Sequence, residues 1–234
     1  DIPLAARAII RSAIGMTGQA CQSLERIYCH KSIAEPFTEE LLAQLKVLSL
    51  TCTDDGAGDI APLIFERQVE TIQAQVDDAL AKGATCLLGG EPVQAGGIWY
   101  PPTLLTNVNH DMLIMQEETF GPVITVVIFG DVEEAVALAN DSTFGLSAAV
   151  FSADADTAKA VAERLQVGAI SINDASLTGI VNDVEKNSFR FSGMGGSRMG
   201  PAGLTRFLRK RALLIQTGEP AAVQLFSDTP QTAS

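Results

Sequence analysis

The chain has 234 residues, 47% of them hydrophobic, with 28 acidic against 16 basic side chains and a formal net charge of −12. That length and apolar content suffice to bury the core of one large domain or two small ones. The acidic balance disfavours a nucleic acid or an anionic membrane as partner, and no apolar run approaches the roughly 20 residues that cross a bilayer.

No charged-then-apolar leader stands at the front, so the expected compartment is the cytoplasm. The four cysteines, Cys21, Cys29, Cys52 and Cys86, form no C-x-x-C pair, and only His30 and His110 offer imidazole nitrogens. Neither a metal site nor a disulfide scaffold is expected. Cys29, Cys52 and Cys86 read as packing residues.

In chain order, residues 3–16 place Ala5, Ala8, Ile9, Ala13 and Met16 near one face at helical spacing, with Gly15 and Gly18 where the helix ends or bends. Residues 26–30 read as a short strand, with His30 hydrogen-bonded at its end. A helix over 33–48 shares Phe37, Leu41, Leu45 and Leu48 on one face. The polar, glycine-bearing run 53–59 reads as a solvated loop, because it lacks the spacing and terminal Glu of a calcium-binding loop.

A helix over 65–81 carries Val69, Ile72, Val76 and Ala79 and stops at Gly83, and a strand over 84–88 follows. Gly89-Gly90 and Gly96-Gly97 bound a hairpin-like excursion, and 100–105 is extended. Residues 123–129 are almost continuously apolar, the pattern of a parallel strand buried on both faces. Asp131 and Glu134 form a capping box for a helix ending near Asn140. A strand over 146–151, a helix over 157–165 and a strand over 169–172 continue the alternation.

This rhythm predicts an α/β domain: three layers, with a mainly parallel sheet covered by helices. Periodicity then disappears from 173 to 200, and a loop so long in a compact domain is a candidate wall of a substrate channel. Its glycine cluster, 193–200, does not fit G-x-G-x-x-G because Arg198 stands where the last glycine belongs. A helix over 201–209 ends on Arg209-Lys210-Arg211, a strand over 212–216 follows, and 218–234 reads as a flexible tail.

Cys21 stands just past the glycine break, in Thr17-Gly18-Gln19-Ala20-Cys21. A lone cysteine is more often a small buried hydrophobe than a nucleophile, and the context reverses that. Gly18-Gln19-Ala20-Cys21, leading towards Arg26-Ile27-Tyr28, resembles the cysteine motif of the aldehyde dehydrogenase superfamily, which runs through a helix into an Arg-led strand. Glu118-Thr119-Phe120-Gly121-Pro122-Val123 resembles that family's Glu-x-Phe-Gly-Pro-Val element. Asn140-Asp141-Ser142 to Gly145-Leu146-Ser147 is similar to its neighbouring loop.

The resemblance runs from residue 1 to about 217 and implies a catalytic domain over 1–217 of the aldehyde dehydrogenase type. The abrupt start at Asp1 resembles a point more than half-way along such a subunit, so an N-terminal, dinucleotide-binding half is expected elsewhere. The resemblance implies that Cys21 attacks an aldehyde and that its backbone N–H helps to hold the oxyanion. It further implies that Glu118 hydrogen-bonds the nicotinamide ribose of NAD or NADP, and that Phe120 packs beside that ribose and ring.

The thiohemiacetal formed on the cysteine loses hydride, and water hydrolyses the resulting thioester to the acid. The family's general-base Glu, in Glu-Leu-Gly-Gly-Lys, and its second oxyanion donor have no counterpart in this sequence. The chain alone is therefore expected to be inactive with NAD. A homo-oligomer, dimer or tetramer, or association with the N-terminal half is implied as well.

The alternatives are a coenzyme A-acylating relative, a cofactor-free thiol esterase and an assembly fragment. The family's Phe-Gly-Gly-x-Lys-x-Ser-Gly is here Lys186-Asn187-Ser188-Phe189-Arg190-Phe191-Ser192-Gly193. Phe189 and Phe191 would favour an apolar aldehyde, Lys186 and Arg190 an acidic one, and the sequence does not decide between them.

Overall fold

The computed structural model describes residues 1–51, 58–94, 97–197 and 199–219. The loop expected over 53–59 lies mostly outside the described residues, as do Cys52 and most of the 218–234 tail. Helix α1 (Ile2–Ile14) is capped by Asp1, whose carboxylate accepts from Leu4 N at 3.0 Å. Its buried stripe is Ala6, Ile9, Ile10, Ala13 and Ile14. Met16, expected on that face, is 73% exposed, because the helix has already ended at Gly15 and the chain reverses there.

Strand β1 (Arg26–His30) leads into α2 (Ala34–Lys46), which buries Phe37, Leu41 and Leu45. Each such side chain contributes about 2 kcal/mol by leaving water. Helix α3 (Arg67–Ala81) follows and buries Ile72, Val76 and Ala79 together with Gln75. Next come β2 (Thr85–Leu88), the hairpin strands β3 (Val93–Gln94) and β4 (Ile98–Trp99), β5 (Thr103–Thr106), the short α4 (Leu113–Gln116) and β6 (Val123–Phe129).

The main sheet has the order β1-β6-β5-β2. β6 is parallel to both β1 and β5, and β2 closes one edge antiparallel to β5 with an irregularity between Cys86 and Leu88. Helices α1 and α2 pack on one face of this sheet against Ile27, Leu104, Ile124 and Val126. Helices α3 and α4 pack on the other against Leu105, Val123 and Val127. Alternate β6 side chains thus feed opposite cores, which is why its sequence shows no polar alternation.

Helix α5 (Val132–Asn140) has the expected cap: Asp131 Oδ1 accepts from Glu134 N at 3.0 Å. Glu134 turns back to the N–H of Gly130, at 2.7 Å, one residue before the cap. Then follow β7 (Phe144–Gly145), β8 (Ser147–Val150), α6 (Ala155–Ala162), β9 (Ala169–Ile172), α7 (Leu177–Ile180), β10 (Phe189–Arg190) and α8 (Pro201–Thr205).

Helix α6 starts earlier than expected because Asp154 caps it, accepting from Asp156 N and Thr157 N. β8 and β9 pair in parallel as a separate two-stranded sheet, across a cleft from β1. The mainly parallel, helix-covered α/β architecture is as predicted, with its parallel strands divided between two sheets.

Three expectations fail near the C-terminus. The helix expected over 201–209 stops at Thr205, so Arg209, Lys210 and Arg211 lie beyond its last turn. The 173–200 segment is not structureless: it holds α7, and β10 pairs antiparallel with β7. Residues 212–216 form no strand, and Leu213, Leu214 and Ile215 stand exposed. β-favouring side chains do not make a strand without a partner edge, and none among the described residues pairs there.

Candidate active site

The break after α1 is built from three successive residues with left-handed backbone: Met16 (φ 54), Thr17 (φ 58) and Gly18 (φ 70). Each non-glycine residue there costs on the order of 1 kcal/mol, and side chains hold the turn. Thr17, buried, donates its hydroxyl to Ala61 O at 3.0 Å. Gln19 accepts from Ile64 N at 2.9 Å through Oε1 and donates to Met16 O. The Gln of the motif is thus an anchor between two loops.

Gly18 lies against the backbone of Gly121: a Cβ on Gly18 would fall 2.0 Å from Gly121 O. A Cβ on Gly121 would in turn strike Ile72 at 2.4 Å. Two motifs a hundred residues apart in sequence therefore meet through glycines, with α3 behind them.

Cys21 occupies an exposed tight turn in which Ser23 N donates to Ala20 O at 2.9 Å. The helix expected between Cys21 and β1 is absent: residues 21–25 form a turn followed by irregular chain. The thiol faces Gln22 Oε1 at 3.3 Å. Among the described residues the Cys21 N–H makes no hydrogen bond. Cys29, by contrast, is buried in β1, and burial pushes its thiol up to about 11.

Cys21, Glu118 and Phe120 line one cleft of about 910 Å³, mostly apolar. Its walls include Ile27 and Cys29 of β1, Ala148 and Val150 of β8, Ile9 of α1 and Ser192 of the 173–200 loop. Glu118 is exposed, and its carboxylate has no hydrogen bond among the described residues. Phe120 is half-buried with φ 44. Ser23 Oγ, also on this cleft, is buried without a hydrogen-bond partner among the described residues.

Sequence reasoning missed the residues that hold the 118–120 turn. Glu25 Oε1 accepts from Thr119 N at 2.8 Å and Phe120 N at 3.0 Å. Gln75 Nε2 donates to Glu118 O at 3.2 Å, and its Oε1 accepts from the Thr119 hydroxyl at 2.8 Å. Gln68 Nε2 donates to Thr119 O at 2.7 Å. Burial raises the Glu25 carboxyl above its ordinary value, while the two backbone donors oppose that rise. The available signal was Gln75, an amide inside the apolar stripe of α3.

Neither Lys186 nor Arg190 lines the Cys21 cleft. Lys186 Nζ donates to the carbonyls of Thr178 and Val181, and Arg190 donates to those of Asn140 and Ser142 and to Gln166 Oε1. Both cations tie the loop to its neighbours. His30 bonds Ser32 Oγ at 2.7 Å and Gly130 O at 3.1 Å, the strand-end role expected of it. His110 bridges Tyr28 and Asp141. Burial pushes the Tyr28 phenol up to about 12.

The sequence model of the Aldehyde dehydrogenase family matches residues 1–213, and the chain belongs to that family. Over 213 residues, 89% of this chain, it is 36% identical to a Mycobacterium ulcerans protein named "Putative succinate-semialdehyde dehydrogenase", a match covering 40% of that protein. Among solved structures, "Putative Aldehyde Dehydrogenase PutA" from Anabaena variabilis is 50% identical with a TM-score of 0.90, over 95% of this chain and 48% of that one. The lactaldehyde dehydrogenase of Escherichia coli is 33% identical with a TM-score of 0.87, over 93% and 45%. The chain therefore spans about two-fifths of the length of the curated relative and about half of these solved chains.

Proposed function

We propose that residues 1–217 are the catalytic portion of an NAD(P)-dependent aldehyde dehydrogenase, with Cys21 as nucleophile and Glu118 and Phe120 as part of the nicotinamide site. The observation that carries this reading is the meeting of the three residues on one cleft, joined by the Gly18–Gly121 contact.

The Cys21 sulfur attacks the aldehyde carbonyl, forming a C–S bond and an oxyanion for which the free Cys21 N–H is a donor. Gln22, within hydrogen-bond reach of the thiol, orients it. A bound nicotinamide supplies the acceptor for the hydride leaving the former carbonyl carbon. The unengaged Glu118 carboxylate suits a ribose diol, since it can accept two O–H donors at once, and the half-buried Phe120 ring offers an apolar face beside it. Ser23 Oγ, unpartnered among the described residues, supplies one more polar atom to a molecule in the cleft. Attack by water on the acyl-Cys21 thioester releases the carboxylic acid.

The cofactor class is supported by the name of the Mycobacterium ulcerans relative, which specifies NADP(+). The substrate is an aldehyde, and Lys186 and Arg190 are assigned no part in selecting it. Subunit association is part of the same proposal, supported by the exposed Phe207, Leu213, Leu214 and Ile215.

In a subunit that joins these residues to a dinucleotide-binding half, Cys21→Ser should lower aldehyde oxidation at least a thousandfold. Iodoacetamide should alkylate Cys21 and spare Cys29, as read by peptide mass spectrometry. A C21S variant that kept its rate would overturn the assignment.

A further inference from the structure

We propose that Glu25 is a positioning residue that holds the cofactor-binding turn in register with the nucleophile. This rests on the reading of Glu118 and Phe120 given above.

Glu25 lies four residues after Cys21, in the stretch that joins the nucleophile to β1. It is tied there from both sides: its own carbonyl accepts from Thr125 Oγ1 at 2.8 Å, and the next residue, Arg26, donates through Nη1 to Met115 O at 2.9 Å. From this fixed base its side chain crosses to the 118–120 turn and accepts two consecutive backbone N–H groups with one oxygen.

Gln75 and Gln68 grip the two carbonyls of the same turn from α3. The turn is thus held by side chains of separate elements. Among the described residues, only Glu25 connects it by hydrogen bonds to the segment that carries the thiol.

The geometry explains why such a connection is needed. Phe120 keeps a left-handed backbone, which a bulky L-residue leaves when unrestrained. The Phe120 N–H bonded to Glu25 fixes that conformation, which aims the ring and the Glu118 carboxylate into the cleft with Cys21. Hydride leaves a carbon bonded to the Cys21 sulfur, so its distance from a nicotinamide held at Glu118 depends on the spacing of these two segments. A carboxylate suits the task because one oxygen accepts both N–H groups, leaving neither donor orphaned in a buried setting.

The test uses the subunit that joins these residues to a dinucleotide-binding half, and three readouts: the Kd for NAD(P) by calorimetry, the rate of Cys21 alkylation by iodoacetamide, and Tm. Glu25→Ala should weaken cofactor binding about tenfold or more while Cys21 alkylation stays within about twofold. Glu25→Gln, which keeps an acceptor oxygen at the same reach, should restore Kd. If E25A does not fold, Glu25→Asp, whose shorter side chain falls short of the turn, takes its place.

Glu118→Ala separates this proposal from the reading beneath it. If E118A weakens binding and E25A does not, Glu25 has no positioning role. If E118A leaves Kd unchanged, the ribose assignment fails and takes the proposal with it. If E25A slows alkylation and weakens binding in parallel, Glu25 merely supports the loop, and the positioning role is overturned.

Discussion

Gly18 has a φ of +70, and a Cβ there would sit 2.0 Å from Gly121 O. Two penalties coincide at this residue, a backbone that L-residues rarely adopt and a collision with main chain that cannot rotate away. Gly18→Ala should cost roughly 3 kcal/mol, a fall in Tm of about 6–12 °C. Because the collision lies between the Cys21 and Glu118 segments, cofactor affinity should fall with it, a pairing that calorimetry and a thermal melt check together. The sequence placed a glycine break here correctly. Its partner, Gly121, was not legible, since nothing local encodes an approach between residues 103 apart.

At the scale of elements, the capping box of α5 is the clearest case in which sequence spacing and structure coincide. Asp131→Ala removes the acceptor for Glu134 N and should cost about 1 kcal/mol, lowering Tm by about 2–4 °C without changing cofactor affinity, because the cap lies outside the 118–120 turn. Helix α3 shows what periodicity hides. Its 3.6-residue apolar stripe marks Ile72, Val76 and Ala79 for the core, and Gln75 shares that face. A buried amide needs partners, but only the folded chain reveals them to be Glu118 and Thr119. The 212–216 segment errs the other way: its side chains favour a strand, yet a strand is stabilised by an edge to pair with, which the described residues do not offer.

At the scale of the molecule, the main sheet and the β8–β9 pair face each other across the apolar cleft on which Cys21 opens. The sequence contains no Glu-Leu-Gly-Gly-Lys segment, and the chain covers 40% of the Mycobacterium ulcerans relative. The 234-residue polypeptide by itself is therefore expected to show no NAD(P) reduction with any aldehyde, while Cys21 stays open to alkylation. Turnover by this polypeptide, free of any longer chain and abolished by C21S, would refute that expectation and place the water-activating group within these residues.

What the sequence by itself determined was local: where apolar spacing makes helices and strands, where a glycine breaks α1, where α5 is capped, and which motifs carry the family pattern. Those features depend on neighbours a few residues apart, so their signal survives in one dimension. Only the tertiary structure decided that Gly18 touches Gly121, that Glu25 and Gln75 hold the Glu118–Phe120 turn, that Lys186 and Arg190 are engaged by carbonyls, and that the parallel strands divide between two sheets. Each is a contact between distant segments, fixed by packing and by the need of buried polar groups for partners. Neither requirement leaves a periodic trace along the chain.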